Sequence, residues 1–140
     1  MSERGQVSIM VLGLALMSLM MAGLAVDGTK AFLLRRTLQN AADSASLAAA
    51  GELDKDAYYG SGGKTLELSS EAAIETARRY LTFRQVGARV SFEVSEDDVS
   101  VILRDSSATV FLGLVGISEV PVAVESNALA LSGDLPPESP

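Results

Sequence analysis

The stretch VSIMVLGLALMSLMMAGLAV, residues 7–26, decides the fold. It is a run of 20 residues without a charge, a Pro, an Asn or a Gln. At about 1.5 Å per helical residue it covers roughly 30 Å, the thickness of one hydrocarbon core. No polar face runs along it, as one would on the surface helix of a soluble domain. The expectation is a transmembrane helix over 7–26, preceded by a short N-terminal segment, 1–6. A cleavable signal core is the competing reading, with Ala22, Gly23 and Ala25 as its small residues. Two features oppose it: Glu3 sits beside the single basic side chain, Arg4, and the run exceeds the roughly 7–15 residues of a signal core.

The helical pattern does not stop at Val26. Residues 27–50 contain no Pro, and Gly28 alone is a modest penalty. Ala31, Leu34, Leu38, Ala41, Ala45 and Ala48 recur at spacings of three and four, an apolar stripe along one face. One helix from about Val7 to Ala50, about 65 Å long, is predicted, half in lipid and half in water. Ala and Ser on its surface let another backbone approach closely while offering little area to bury alone. Ser18, Ala22, Ala25 and Thr29 repeat that spacing inside the span. The plain alternative is that Ala is a good helix former. Asp27, with Lys30 three residues on, reads as a surface pair of little energetic worth. Asp43, one turn after Gln39 and next to Asn40, reads either as a solvated carboxylate or as a contact that fixes register between neighbouring helices.

Composition removes most chemistry. The 140 residues include no His and no Cys, which excludes the usual zinc ligands, Ser-His-Asp and Cys-His nucleophiles, and disulfides. No catalytic residue, metal or cofactor is assigned, and the chain does not read as an enzyme. The net charge of −7 is concentrated after residue 50, and an acidic domain repels phosphates, so nucleic acid is not an expected partner.

Residues 51–69, with Gly60-Ser61-Gly62-Gly63, read as a linker loop, since no strand-helix context or P-loop lysine makes a phosphate cradle of them. A small α+β domain is expected over 70–131. Ser69 or Ser70 can cap a helix with Glu71 and Glu75 in its first turn and Ile74, Ala77 and Leu81 on one face. Val90, Phe92 and Val94, then Val99, Val101 and Leu103, alternate about a Ser95-Glu96-Asp97 turn, the pattern of a β-hairpin. Thr109 to Val115 is an apolar run ended by Gly116, and Val120, Val122 and Val124 begin a last strand toward Ala130. Glu96, Asp97 and Asp98 are the densest carboxylates but lack EF-hand spacing, so they read as a solvated hairpin tip. Residues 132–140 read as a disordered tail. The fold class is therefore α+β: a long N-terminal transmembrane helix continues out of the membrane and packs on a small antiparallel sheet.

Three segments in one order carry a family resemblance. They are Glu3-Arg4-Gly5-Gln6, the exit Gly23-Leu24-Ala25-Val26-Asp27-Gly28, and the box from Leu38-Gln39-Asn40-Ala41-Ala42-Asp43 to Ala50. Residues 3–51 so arranged resemble the N-terminal module of TadE/TadG-like proteins of Flp (Tad) pilus assembly. The resemblance implies a membrane-anchored, pilin-like subunit or assembly factor in the cell envelope. Its partners would be the lipid bilayer and other pilin-like subunits or Tad assembly proteins, held through the N-terminal helix as a homo- or hetero-oligomer. It also implies an N-terminus in the cytoplasm and the C-terminal domain outside. The positive-inside rule alone, reading Lys30, Arg35 and Arg36 after the span against Arg4 before it, gives the reverse. Pilins cut by prepilin peptidase typically carry Glu five residues after the scissile Gly; counted from Gly5 that position is Met10, so the span is expected to stay as translated. A single-pass envelope sensor or ligand-binding module is the alternative function.

Overall fold

The structure, a computed structural model, describes residues 3–52, 59–60, 68–95 and 98–129. Its class is α+β, with a long N-terminal helix and a three-stranded antiparallel sheet. Helix α1 runs Glu3–Ala49. Nothing in this stretch breaks it, because the first Pro of the chain is Pro121. It closes where Ala50 N–H donates to Ser46 O at 2.9 Å and Glu52 N–H to Ala49 O at 3.0 Å. Helix α2 is Ser70–Phe83. Strands β1, Arg89–Val94, β2, Asp98–Ala108, and β3, Glu119–Leu129, lie in the order β1-β2-β3. A single 3-10 turn, Leu112–Val115, connects β2 to β3 and ends on Gly116 at φ 92°, a left-handed position that suits glycine.

The chain divides into two compact units, one of Met1–Leu34 with Ser106–Val122, the other of Arg35–Asp105 with Ala123–Pro140. The second holds a core of small side chains. From α1 it takes Leu38, Ala42, Ala45 and Ala49, from α2 Ala73, Ala77 and Leu81, and from the sheet Val99, Val101, Leu103 and Val124, all buried. Polar links tie these elements at their edges. Gln39 Nε2 donates to Glu125 O at 3.1 Å, Ser46 and Ser126 share a 3.0 Å hydroxyl pair, and Thr76 donates to Glu52 at 2.8 Å. Arg78 lies over the Phe92 ring at 5.8 Å, a cation–π contact that joins α2 to edge strand β1.

The hairpin register pairs Phe92 with Val101 and Val94 with Val99, as the alternation requires. Three local expectations are corrected. Ser69 takes the N-cap position with extended backbone but does not cap through its side chain; Ala73 N–H reaches Ser69 O instead, at 2.8 Å. The α2 core face is Ala73, Ala77 and Leu81, and Ile74 is only half-buried, because the closely packed core admits the smaller neighbour. Val90 lies exposed on the edge strand, where only one neighbour covers it. Of the carboxylates at the hairpin tip, Glu96 and Asp97 lie outside the described residues, while Asp98 accepts a 2.7 Å bond from Asn127. Most of the linker and the tail also lie outside them.

Candidate functional site

Within the first unit, the side chains of α1 from Gln6 to Ala22 are exposed, and the pattern changes at Gly23 and Asp27. These two residues are four apart, so they stack on one face of the helix. Gly23 is buried against the Phe111 ring, and a Cβ placed there would lie 2.4 Å from Phe111 Cγ. Only glycine admits the ring at that distance. One turn on, the Asp27 carboxylate takes three consecutive backbone amides: Val110 at 2.8 Å on Oδ1, Phe111 at 2.9 Å and Leu112 at 2.8 Å on Oδ2. These amides open the 3-10 turn, where N–H groups have no partner within the turn and carry positive charge. Asp27 therefore caps a turn whose own N-terminal residue, Phe111, offers no capping side chain.

The expected surface pair of Asp27 and Lys30 is corrected: Asp27 is 2 % exposed, and its carboxylate is spent on the turn. Lys30 Nζ donates to Ala108 O at 2.9 Å, holding the strand that leads into the same loop. The amide of Leu112 most strongly, then those of Val110 and Phe111 and the charge of Lys30, hold the Asp27 carboxyl below its ordinary pKa, against burial, which pushes it up. The carboxylate is thus ionised at neutral pH, and the bonds are of the charge-assisted kind. The loop closes above this clamp through Thr109 N–H to Ser118 O at 3.0 Å and Thr109 Oγ1 to Ile117 O. Ser106 donates to Glu119 at 2.7 Å across the strands that enter and leave it.

The other residues singled out from the sequence divide by exposure. Ser18, Ala22, Ala25, Asn40 and Asp43 are exposed, Leu34, Gln39 and Ala48 half-buried, and Leu38, Ala41 and Ala45 buried. Ser18 Oγ turns back to Leu14 O at 2.9 Å, leaving its face smooth. Gln39 and Asp43 meet at 2.8 Å along the helix. Sequence reasoning did not foresee the Gly23–Phe111 contact, the amide partners of Asp27, or buried Ser46, which also donates to Asp43 O at 3.1 Å. A signal for the clamp existed in the G-x-x-V-D exit, whose glycine and aspartate share a helical face, and in the uncharged, apolar loop between Asp105 and Glu119.

No curated protein and no solved structure matches the chain. A protein-family model does match it over residues 5–52, about a third of the chain, which include both Gly23 and Asp27. That family is Tad, described as putative Flp pilus-assembly TadE/G-like.

Proposed function

We propose that the chain is a membrane-anchored, pilin-like subunit or assembly factor of a Tad/Flp-type pilus or secretion system, acting through helix–helix packing rather than catalysis. The observation that carries the reading is that the family match falls on α1, a helix with a mean hydropathy of 2.4 in its most apolar window. Side chains from Val7 to Met21 on it stand exposed, including Ile9, Met10 and Leu14. So large a bare apolar surface calls for lipid or a neighbouring helix. On this reading residues 7–26 span the cytoplasmic membrane, the N-terminus is inside, and the sheet-bearing part lies outside.

Ser18, Ala22 and Ala25 are the candidates for a helix contact within the lipid, because small exposed residues permit close approach. Ala41 and Ala45 serve the chain's own core, so a neighbouring subunit would meet Asn40, Asp43 and the half-buried Ala48 instead. The test is co-purification from membranes with mass identification of what comes along. Tad components are expected with the unaltered chain, and the Ser18→Leu, Ala22→Leu double variant should insert normally but recover fewer of them. Recovery of unrelated sensor-pathway proteins alone would overturn the assembly reading. Undiminished partners with the double variant would remove the small-residue face as the contact.

A further inference from the structure

The reading of 7–26 as a span leaves a second apolar feature of the first unit unexplained. Thirteen residues, 106–118, separate Asp105 from Glu119 without a charge. At their centre, Val110 is 57 %, Leu114 84 %, Val115 61 % and Ile117 48 % exposed. The base of the loop is held by Asp27 and Lys30, among the first residues beyond the span. Phe111, Leu112, Leu114 and Val115 line a shallow apolar cleft together with Leu16, Leu19, Met20 and Leu24. From Leu16 to Val26 is about 15 Å along a helix, roughly half of a 30 Å hydrocarbon core. If 7–26 lies in lipid, residues that pack on Leu16–Leu24 lie at the same depth.

Non-helical backbone is tolerated there only where its polar groups are satisfied within the protein. Seven of the loop's N–H groups are paired in this way. Asp27 takes the N–H groups of Val110, Phe111 and Leu112. Thr109 N–H bonds to Ser118 O, Leu114 N–H to Phe111 O at 3.1 Å, Gly116 N–H to Gly113 O at 3.2 Å and Ile117 N–H to Leu112 O at 3.0 Å. In water, the exposed Leu and Val of this loop would be a liability.

We propose that residues 110–117 are a second membrane contact: a finger that enters the bilayer beside α1, on the side where the chain leaves it, with the acyl chains of the lipid covering Val110, Leu114, Val115 and Ile117. Continuity with the bare apolar surface of the span selects lipid as the occupant. Asp27 and Lys30 then sit at the boundary of the hydrocarbon, holding the base of the finger. The proposal rests on 7–26 being a span, and its test separates the two.

The chain has no Cys, so single thiols can be introduced without background. Leu114→Cys and Val110→Cys, both at exposed positions, would each be labelled with an environment-sensitive fluorophore. The full chain is reconstituted in phosphatidylcholine vesicles with plain or brominated acyl chains. Leu12→Cys reports on the span, and Phe83→Cys, at an 83 % exposed position closing α2, on water. The label at 114 or 110 should lose emission to bromine about as strongly as the label at 12, while that at 83 keeps it. Quenching at 12 with none at 114 or 110 overturns the finger and leaves the span. A label at 114 that is shielded yet unquenched points to a second protein copy as the occupant, and overturns it equally. No quenching at 12, whatever the loop does, removes the span and the finger together.

Discussion

Around Asp27, helix α1 grips the loop through one charge and one missing side chain, whereas from Leu38 to Ala49 it contributes to a core made of methyl groups. In the first stretch the contact is directional: three amides converge on a carboxylate, and a ring rests on Gly23. In the second it is a matter of volume: Ala42, Ala45 and Ala49 are fully buried, and the polar bonds of Gln39 and Ser46 lie at the margin. The difference follows from surroundings. A helix whose neighbouring surface is apolar cannot secure an irregular loop by burial alone, since its backbone groups need partners. A helix among strands and another helix needs only to be thin enough for them to close on it. One helix thus meets two mechanical demands, and different substitutions should break each.

The largest effect is expected from Asp27→Ala. It orphans the amides of Val110, Phe111 and Leu112 together, and removes the charge that Lys30 reinforces. Hydrogen exchange on the solubilised full chain should show those amides rising to the exchange rate of an open loop, while Val99, Val101 and Leu103 keep their protection. Undiminished protection at 110–112 would mean that the carboxylate does not hold the loop. Acid should mimic the variant. Because the folded-state pKa lies below the ordinary value, the clamp's contribution is complete above the ordinary carboxylate range and is lost as pH falls through the depressed one. Amide-proton NMR shifts of the three residues should therefore move together in that acid window, and not move in Asp27→Ala.

An intermediate effect is expected in the methyl-packed stretch. Ala45 has no exposed surface, and Leu there overfills the site while leaving helix propensity nearly intact. Overpacking of this kind costs about 1–3 kcal/mol. Thermal unfolding of Ala45→Leu in detergent should show that loss, and exchange at 110–112 should stay as in the parent chain. A variant that loosened both stretches equally would show that the two grips are one cooperative unit.

The two stretches also differ in how far a reading of residues could reach. The apolar run 7–26, the period of three and four in 31–48 and the alternation in 90–103 are local, and helix, hairpin and fold class followed from them. The small-residue stripe was visible too, although its centre lies on Ala42, Ala45 and Ala49 rather than on Ala41 and Ala48. A small rotation of the helix decides which Ala faces the sheet, and composition does not distinguish among them. The G-x-x-V-D exit marked one half of the clamp, but the partners of Asp27 were not legible, because they lie 83 to 85 residues away and are backbone amides, which any residue but Pro would supply. A charge beside Lys30 at the end of an apolar run looks like a solvated pair until the loop that shields it is in place.

The smallest effect on the fold, and the sharpest on assembly, is expected from Asp43→Ala. Asp43 is exposed, and its carboxylate accepts a 2.8 Å bond from Gln39 one turn earlier on α1. Such a pair is worth about 0.2–0.5 kcal/mol, and Ala returns a similar amount through helix propensity. Gln39 keeps its 3.1 Å bond to Glu125 O, so the link between α1 and β3 survives the change. Unfolding of the variant should accordingly stay within about 0.5 kcal/mol of the parent chain, since none of the usual causes of large destabilisation applies. This near-neutrality makes Asp43 informative where Ala45 is not: a loss of partners in Ala45→Leu can come from the chain's own core, but a loss in Asp43→Ala must come from the outer surface of the helix. Co-purification that falls while stability holds would place Asp43 between subunits. Co-purification at the parent level would leave it a solvated carboxylate, and would confine the assembly contact to the exposed small residues nearer the N-terminus.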